Sequence, residues 1–189
     1  MDNKRNVDPN STDKNFSEKV IRVDRINKVV SGGKRLAFRA FVIVGDLDGR
    51  VGLGVAKAKE VAAAIKKAVE RGKKSMVRIN VHDGTIPHEV EASFGAAYVL
   101  LRPARPGTGV IAGGAVRILL ESAGLKNVVA KSLRSRNPIN SSRATLIALK
   151  SLKDYDQQVL LRGKPLPVYR KPTVAPVVFS NSAEDVANG

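Results

Sequence analysis

The hexapeptide Gly107-Thr108-Gly109-Val110-Ile111-Ala112 has residue types and spacing that could bind a dinucleotide. In the pattern G-x-G-x-x-[GA], the glycines let the backbone approach a pyrophosphate at the start of a helix. A Rossmann unit also needs an acidic residue about 20 positions later, where this chain has Val128-Val129-Ala130-Lys131. The Gly-Lys-[Ser/Thr] ending of a P-loop is also missing. The hexapeptide alone therefore supports a nucleotide binder or small phosphotransfer enzyme only weakly.

The sequence contains few residues that could carry out other catalytic or metal-binding chemistry. The chain has no Cys, which excludes disulfides and thiolate sites, and only His82 and His88 are available as imidazole ligands or bases. Asp46 and Asp48 straddle a predicted turn without the remaining ligands of a calcium loop. Glu89 and Glu91 share one face of a predicted strand and are interpreted as solvated. We predict no enzyme activity, no metal, no cofactor and no small-molecule substrate.

The charge balance indicates a polyanionic partner. The chain has 33 Lys and Arg against 17 Asp and Glu, a formal net charge of +16. Basic side chains placed on phosphates release condensed counterions, so nucleic acid is the leading partner class. A membrane surface would require an amphipathic anchor with large apolar side chains, and none is found. No apolar run approaches the ~18 residues of a span, so we predict a cytosolic or organellar protein.

The basic residues are expected to contact RNA where acids are scarce. A solvated sheet face is the alternative for Arg22, Arg25, Lys28, Lys34, Arg35 and Arg39, but such faces normally carry interspersed acids. We predict RNA contacts at the basic residues Arg22, Arg25, Lys28, Lys34, Arg35, Arg50, Lys57, Lys59, Lys131, Arg134 and Arg136.

Residues 16–75 are predicted to form a first domain, after a disordered polar arm at 1–15. A strand around 20–30, the half-buried β-type run 36–44 and a strand from Arg50 to Val55 are joined by tight turns. Gly52 and Gly54 leave the third strand open to close approach. A helix over 60–74 has one narrow apolar stripe. This β-β-β-α order resembles the double-stranded-RNA-binding architecture, which reads RNA by shape and phosphate position.

Residues 76–153 are predicted to form a second domain, a small sheet covered by two helices. Strands are expected over 76–81, 85–91, 96–101 and 127–133, with a hairpin turn at Asp83-Gly84. Helices are expected over 115–123 and from Asn137, a good N-cap followed by Pro138. Several prolines after Lys153 predict an extended tail over 154–189. The fold class is α+β, with a three-stranded sheet plus helix followed by a βαβα-type two-layer domain.

The order of several motifs resembles the ribosomal protein S5 family of the small ribosomal subunit. The resemblance covers roughly the middle three-quarters of the chain. It is carried by Gly33-Lys34, Phe38, Ala40, Val44-Gly45-Asp46, Gly49-Arg50-Val51-Gly52, Gly54, Gly107 to Gly114 and Asn137-Pro138-Ile139-Asn140.

The resemblance implies a structural component that binds small-subunit ribosomal RNA, supports assembly and messenger entry, and influences translational accuracy. It implies neighbours such as ribosomal proteins S4 and S8, with messenger RNA nearby, on cytoplasmic or organellar ribosomes. The resemblance implies that the loop Val30 to Arg35 reaches RNA, so Ser31, Gly32 and Gly33 are expected to contact RNA beside Lys34 and Arg35. Ser31 stands where a basic residue is common in the family. A protein partner, in this family S4, is expected at Gly107, Gly109, Gly113, Gly114 and Arg117.

The residues of the glycine loop alone allow three interpretations of its role. Free backbone N–H groups at the start of the following helix could hold an RNA phosphate or a partner's acidic side chain. The third possibility is a loop whose glycines serve only close packing. A free-standing double-stranded-RNA-binding regulator is a further candidate for the whole chain, but it leaves the second domain unexplained.

Overall fold

A computed structural model describes residues 16–153 and 155–163. The elements are β1 (Ser17–Val30), β2 (Gly33–Gly45), β3 (Arg50–Ala58), α1 (Val61–Lys74), β4 (Val77–Arg78), β5 (Val90–Phe94), β6 (Ala97–Pro103), β7 (Val110–Ile111), α2 (Gly114–Ser122), β8 (Val128–Ser132), α3 (Pro138–Lys150) and α4 (Tyr155–Arg162). The predictions for the arm 1–15 and for the tail beyond residue 163 lie outside the described residues.

The first sheet is antiparallel, in the order β1-β2-β3-β4. Its first three strands are the predicted meander. A fourth strand, Val77–Arg78, pairs with β3 through Val51 and Arg50. The strand expected over 76–81 is therefore only two residues long, and it extends the first sheet instead of starting the second.

The second half of strand β2, from Ala40 to Gly45, is buried on both faces. Ala40, Val42 and Val44 pack in a cluster with α1. The alternate residues Phe41 and Ile43 belong to a larger core that includes the second sheet and its helices. The expectation of a half-buried strand is wrong here, because a second layer covers the face that would otherwise meet water.

Helix α1 lies directly against backbone on β3. A Cβ at Gly52 would meet the carbonyl oxygen of Gly72, and one at Gly54 would meet the carbonyl oxygen of Ala68. The buried face of α1 is Ala64, Ala68, Val69 and Gly72. The prediction that Gly52 and Gly54 permit a close approach is confirmed.

The second sheet has the order β5-β6-β8-β7. Among its described strands, β7 and β8 pair in parallel, and the other pairs are antiparallel. Helices α2 and α3 share a core with one face of the sheet, which confirms the α+β class and the two-layer arrangement. The turn at Asp83-Gly84 forms, with φ of 51° and 73°. The predicted hairpin is reduced to one bridge between His82 and Thr85.

The β2–β3 turn caps the C-terminal end of α2. Leu47 N–H donates to the Ser122 carbonyl over 3.2 Å, and Gly49 N–H to the Ala123 carbonyl over 3.1 Å. These are carbonyls that a helix end leaves without an internal partner. Gly124 has φ of 85°, and a Cβ there would meet the Leu47 carbonyl. Residues 16–75 and 76–153 thus share one core, and the boundary predicted between them stays a prediction.

Helix α3 begins at the predicted residue, whereas α4 lies in a segment that was predicted to be extended. The Asn137 side chain accepts a hydrogen bond from Ile139 N–H, and Pro138 occupies the first turn. Residues Tyr155–Arg162 form a helix, so an extended tail is wrong for those eight residues. The prolines that suggested the tail all follow them, at positions 165 to 176.

Candidate nucleic-acid interface

The end of the β1–β2 hairpin projects beyond the third strand as a two-stranded ribbon. Pairing between β2 and β3 begins at Phe38 and Ala58, whereas β1 and β2 remain paired out to Val30 and Gly33. Residues 26–30 and 33–37 therefore pair only with each other. At ~3.4 Å per residue the ribbon extends about 17 Å past β3. The ribbon and its turn carry the predicted RNA contacts Lys28 and Ser31 to Arg35.

The ribbon carries positive charge without acids. Lys28 and Arg35 are directly opposite each other, and Lys34 lies opposite Val29. All three cations are exposed, as is Arg25 at the base. No Asp or Glu occurs between residues 25 and 45. Like charges directly opposite in a sheet are unfavourable in the free protein, so an external polyanion would relieve this repulsion.

Some of the predicted RNA contacts are already ion-paired within the chain and others are not. Asp24 is the acid that makes this difference on β1. Its carboxylate accepts from Arg22 Nε over 2.5 Å and from Arg39 Nη2 over 2.7 Å. The hydrogen bond from Arg39, followed by that from Arg22, lowers the pKa of Asp24 below its ordinary value. Arg22 is therefore already ion-paired. Among the described residues, Arg25, Lys28, Lys34 and Arg35 have no such acid partner.

The ribbon tip is a tight turn open to solvent. Gly33 has φ of 137°, a conformation that L side chains rarely adopt. Within the part of the chain that the structure describes, nothing lies within 4 Å of a Cβ built at Gly32 or Gly33. Ser31, Gly32 and Gly33 are exposed beside Lys34, so the tip can approach another molecule through its backbone.

Three further predicted contacts lie along β3 and its exit. Arg50 Nε is 4.0 Å from the Asp46 carboxylate. Lys57 is opposite Arg39, and Lys59 stands in the loop before α1. All three predicted contacts are exposed. Arg50 and Lys57 lie on the first sheet and Lys59 directly follows it, whereas the ribbon extends beyond the end of β3.

The remaining predicted RNA contacts belong to the second sheet. Lys131 is on β8, and Arg134 and Arg136 lie in the loop between β8 and α3. Ser135 shapes this loop: its carbonyl accepts from the Ser132 and Ser141 hydroxyls, and its own hydroxyl accepts from Asn137 N–H. The Arg134 guanidinium lies 5.5 Å from the centre of the Tyr98 ring.

The glycine loop divides into a clamped part and an open part. Gly107 and Gly109 have φ of 92° and 78°, and their N–H groups donate to the Asn127 side-chain oxygen over 3.0 and 3.2 Å. Gly113 has φ of −73°, and no atom of the described residues lies within 4 Å of a Cβ at Gly113 or Gly114. Close packing against residues 16–153 and 155–163 therefore explains neither of these last two glycines.

Arg117 belongs to an ion-pair network that joins α2 to β1. Arg117 Nε donates to one oxygen of Glu121 over 2.8 Å, and Lys19 Nζ donates to the other over 3.2 Å. These bonds, Arg117 first, lower the pKa of Glu121. Arg117 remains exposed, so its guanidinium is oriented by Glu121 and accessible from outside.

The residues considered for other chemistry have structural roles or lie apart. His88 Nδ1 contacts the Glu89 carbonyl and its Nε2 accepts from Lys153 N–H. One Asp46 oxygen accepts from the Asp48 and Arg50 N–H groups, which organises the turn. No group of three or more His, Asp or Glu that could hold a metal occurs within residues 16–153 and 155–163. None of the described helices is long and apolar enough to cross a membrane.

Sequence reasoning missed four residues that organise these sites: Asp24, Tyr98, Glu121 and Asn127. Asp24 had a local signal, since it is the acid between Arg22 and Arg25. Glu121 had another, because it follows Arg117 at i+4. Tyr98 and Asn127 act on residues 36 and 18 to 20 positions away, and no local pattern predicts such contacts.

Comparisons with known proteins agree across both parts of the chain. Residues 16–80 match the family model described as ribosomal protein S5, N-terminal domain, and residues 92–162 match ribosomal protein S5, C-terminal domain. The small ribosomal subunit protein uS5 of Crocosphaera subtropica is 49% identical over 157 residues, 82% of this chain and 91% of that protein.

Two further relatives with the same name show similar coverage. The protein of Treponema pallidum is 53% identical over 154 residues, 82% of this chain and 90% of its own. That of Acaryochloris marina is 50% identical over 162 residues, 85% of this chain and 90% of its own. The two family matches, the sheet–helix order of each part and the identity with these relatives lead to one conclusion: the chain belongs to the ribosomal protein S5 family.

Proposed function

We propose that the protein is a structural component of the small ribosomal subunit that binds small-subunit ribosomal RNA mainly through the β1–β2 ribbon. The observation that carries this proposal is the exposed, acid-free ribbon with Lys28, Lys34 and Arg35. Phosphate contacts from such side chains position a protein on RNA without requiring base recognition. The basic residues of β3 and of the β8–α3 loop add contacts at a distance from the ribbon.

Membership in a ribosomal protein family confirms the prediction that this protein is not an enzyme. The Gly107 to Ala112 hexapeptide accordingly needs another explanation than a dinucleotide site. The Asn127 clamp supplies one, because it gives Gly107 and Gly109 a conformational role. Family membership also supports the expected location on the ribosome.

The open part of the glycine loop supports a protein neighbour. Gly113 and Gly114 leave a smooth surface at the start of α2, and the exposed Arg117 lies one turn further along. A partner backbone could approach the glycines while its acidic side chain meets Arg117. We assign this surface to a neighbouring ribosomal protein, S4 by the family resemblance, with S8 a further neighbour. We further propose, from the family resemblance, that the protein supports subunit assembly and messenger entry and influences decoding accuracy.

The test is sedimentation of the tagged protein from a cell lysate through a gradient at low and at high magnesium. Co-migration with small subunits under both conditions is the expected result. If the protein remains at the top of both gradients, the ribosomal function is wrong. The free protein would then be titrated with duplex RNA and with ATP, to separate a free-standing RNA-binding regulator from a nucleotide binder.

A further inference from the structure

The face of the second sheet that is turned away from its helices carries an aromatic and cationic surface. Residues alternate along β6: Val99 and Leu101 are buried in the core, while Tyr98, Leu100 and Arg102 point the other way. Lys131 is opposite Leu100 in the register, and Leu133 N–H donates to the Tyr98 carbonyl. We call Tyr98, Leu100, Lys131, Leu133 and Arg134 the outer platform.

Three side chains of this face form an ordered chain. The Tyr98 hydroxyl donates a hydrogen bond to the Glu91 carboxylate on β5, which also raises the pKa of Tyr98. The Tyr98 ring, fixed at its hydroxyl end, supports the Arg134 guanidinium at 5.5 Å from its centre. Arg134 is thereby held over the sheet by a cation–π contact while its side chain stays exposed.

The charges on this face favour an anionic occupant. Both nearby acids are engaged: Glu89 accepts from Arg102 Nε over 2.9 Å, and Glu91 accepts from Tyr98. Lys131 and Arg134 form no ion pair with any described acid. Leu133, 53% exposed, adds apolar surface beside them. A protein partner would have to bring acids for both cations, whereas a nucleotide supplies a phosphate and a flat apolar base together.

We propose that the outer platform binds an unpaired nucleotide of RNA, with the base stacked on the Tyr98–Arg134 pair and the phosphate near Lys131. Sheets that bind single-stranded RNA combine exposed aromatic or guanidinium planes with cations in this way. Tyr98 contributes its ring to this pair and also holds Arg134 in place, and Glu91 acts as a positioning residue for Tyr98. This proposal rests on the proposed function, since it adds a second RNA site to the ribbon.

The experiment measures the affinity of the full chain for a single-stranded RNA oligonucleotide containing 2-aminopurine, at several salt concentrations. Tyr98→Leu is expected to weaken binding by about tenfold and to abolish the fluorescence quenching caused by stacking. Arg134→Gln should weaken binding and also lower the salt slope by about 0.7. Tyr98→Phe keeps the ring and should retain most of the quenching.

Arg143→Gln is the matched control, because Arg143 also lies on an aromatic ring, that of Phe94, at 5.2 Å. Phe94 is packed against the core rather than on the outer platform, so this variant should bind RNA like the wild type. Thermal unfolding by circular dichroism verifies that every variant is folded. If Tyr98→Leu unfolds the chain, Tyr98→Phe, Arg134→Gln and Arg134→Lys carry the test, and unchanged quenching and affinity in both Arg134 variants overturn the proposal.

A further variant separates this proposal from the function on which it rests. Lys34→Glu combined with Arg35→Glu should weaken binding to folded small-subunit RNA without changing the quenching at the outer platform. Wild-type quenching in Tyr98→Leu and in the Arg134 variants, together with loss of RNA binding in the ribbon variant, overturns the outer platform alone. Absence of RNA binding by the wild type at low salt overturns both.

Discussion

Lys28 and Arg35 lie directly opposite each other across β1 and β2, with no acid on the ribbon to separate their charges. Arg35→Glu should therefore have opposite effects on stability and on binding. A carboxylate opposite Lys28 is expected to stabilise the free protein by up to about 1 kcal/mol. RNA association should weaken, and its salt slope should fall by about 0.7 to 0.9 for the lost phosphate contact.

The control is Arg22→Glu, which removes a hydrogen-bonded partner of Asp24 and places two carboxylates close together. This variant should be less stable than the wild type. Chemical denaturation and RNA titration measure the two properties. If Arg35→Glu left the salt slope unchanged, Arg35 would not contact phosphate.

Gly54→Ala should strongly destabilise the first sheet. The added Cβ would meet the Ala68 carbonyl oxygen, and neither backbone can move without separating α1 from β3. Overpacking of this kind costs about 3 kcal/mol, measured as a lower midpoint of denaturant unfolding. Gly32→Ala, in open space at the ribbon tip, is the control and should change the midpoint little. Equal effects would mean that α1 does not lie on Gly54.

Asn127→Ala should loosen the glycine loop. The Asn127 side chain accepts hydrogen bonds from Gly107 and Gly109 N–H, and their loss should cost about 1 to 2 kcal/mol. Faster amide hydrogen exchange at these two glycines is the expected signal. Asn80→Ala, an exposed position shortly after β4, should leave the exchange at these glycines unchanged. Unaltered exchange in Asn127→Ala would place the restraint on the loop elsewhere.

Gly113→Val should affect assembly more than folding. Gly113 has an ordinary φ, and its Cβ position is open, so the unfolding temperature should fall only slightly. Incorporation into small subunits should decrease, because the side chain enters the surface assigned to a neighbouring protein. Gly109→Val is the contrasting variant, since φ of 78° makes it strained in the free chain. Normal incorporation of Gly113→Val would remove this residue from the partner surface.

Glu121→Gln should make stability less dependent on pH. The pKa of Glu121 is lowered in the folded chain by Arg117 and Lys19, so its contribution is present above the unfolded pKa of about 4.3. That contribution is lost as pH falls through the lower, folded value. Wild type should therefore exceed the variant in stability at pH 7, by less than about 1 kcal/mol because the pair is partly exposed.

The pH comparison is made by denaturant unfolding at pH 7 and pH 3. The difference between wild type and Glu121→Gln should shrink at the lower pH. Glu70→Gln, an exposed change on α1, controls for the general effect of removing a negative charge. A difference of the same size at both pH values would contradict the ion-pair network.

Local patterns in the sequence predicted most elements because each depends on residues close in the chain. The Asn137-Pro138 helix start, the glycines of β3 and the turn at Asp83-Gly84 all express local backbone preferences. The ribbon cations were likewise visible, since a run from 25 to 45 without acids needs no structure to be recognised. The hairpin predicted around the Asp83-Gly84 turn is much shorter in the structure. Alternation of apolar and polar residues along a segment does not show which strand that segment pairs with.

Tertiary structure decided what the strands and charges face. Only the folded chain shows that Phe41 and Ile43 belong to a core shared with the second layer, because burial of the second face depends on residues far away in sequence. It also separates Arg22, paired with Asp24, from Lys28 and Arg35, which no described acid neutralises. The sequence by itself determined a basic α+β protein of a recognisable family. Which cations remain available to a partner depended on distances that only folding sets.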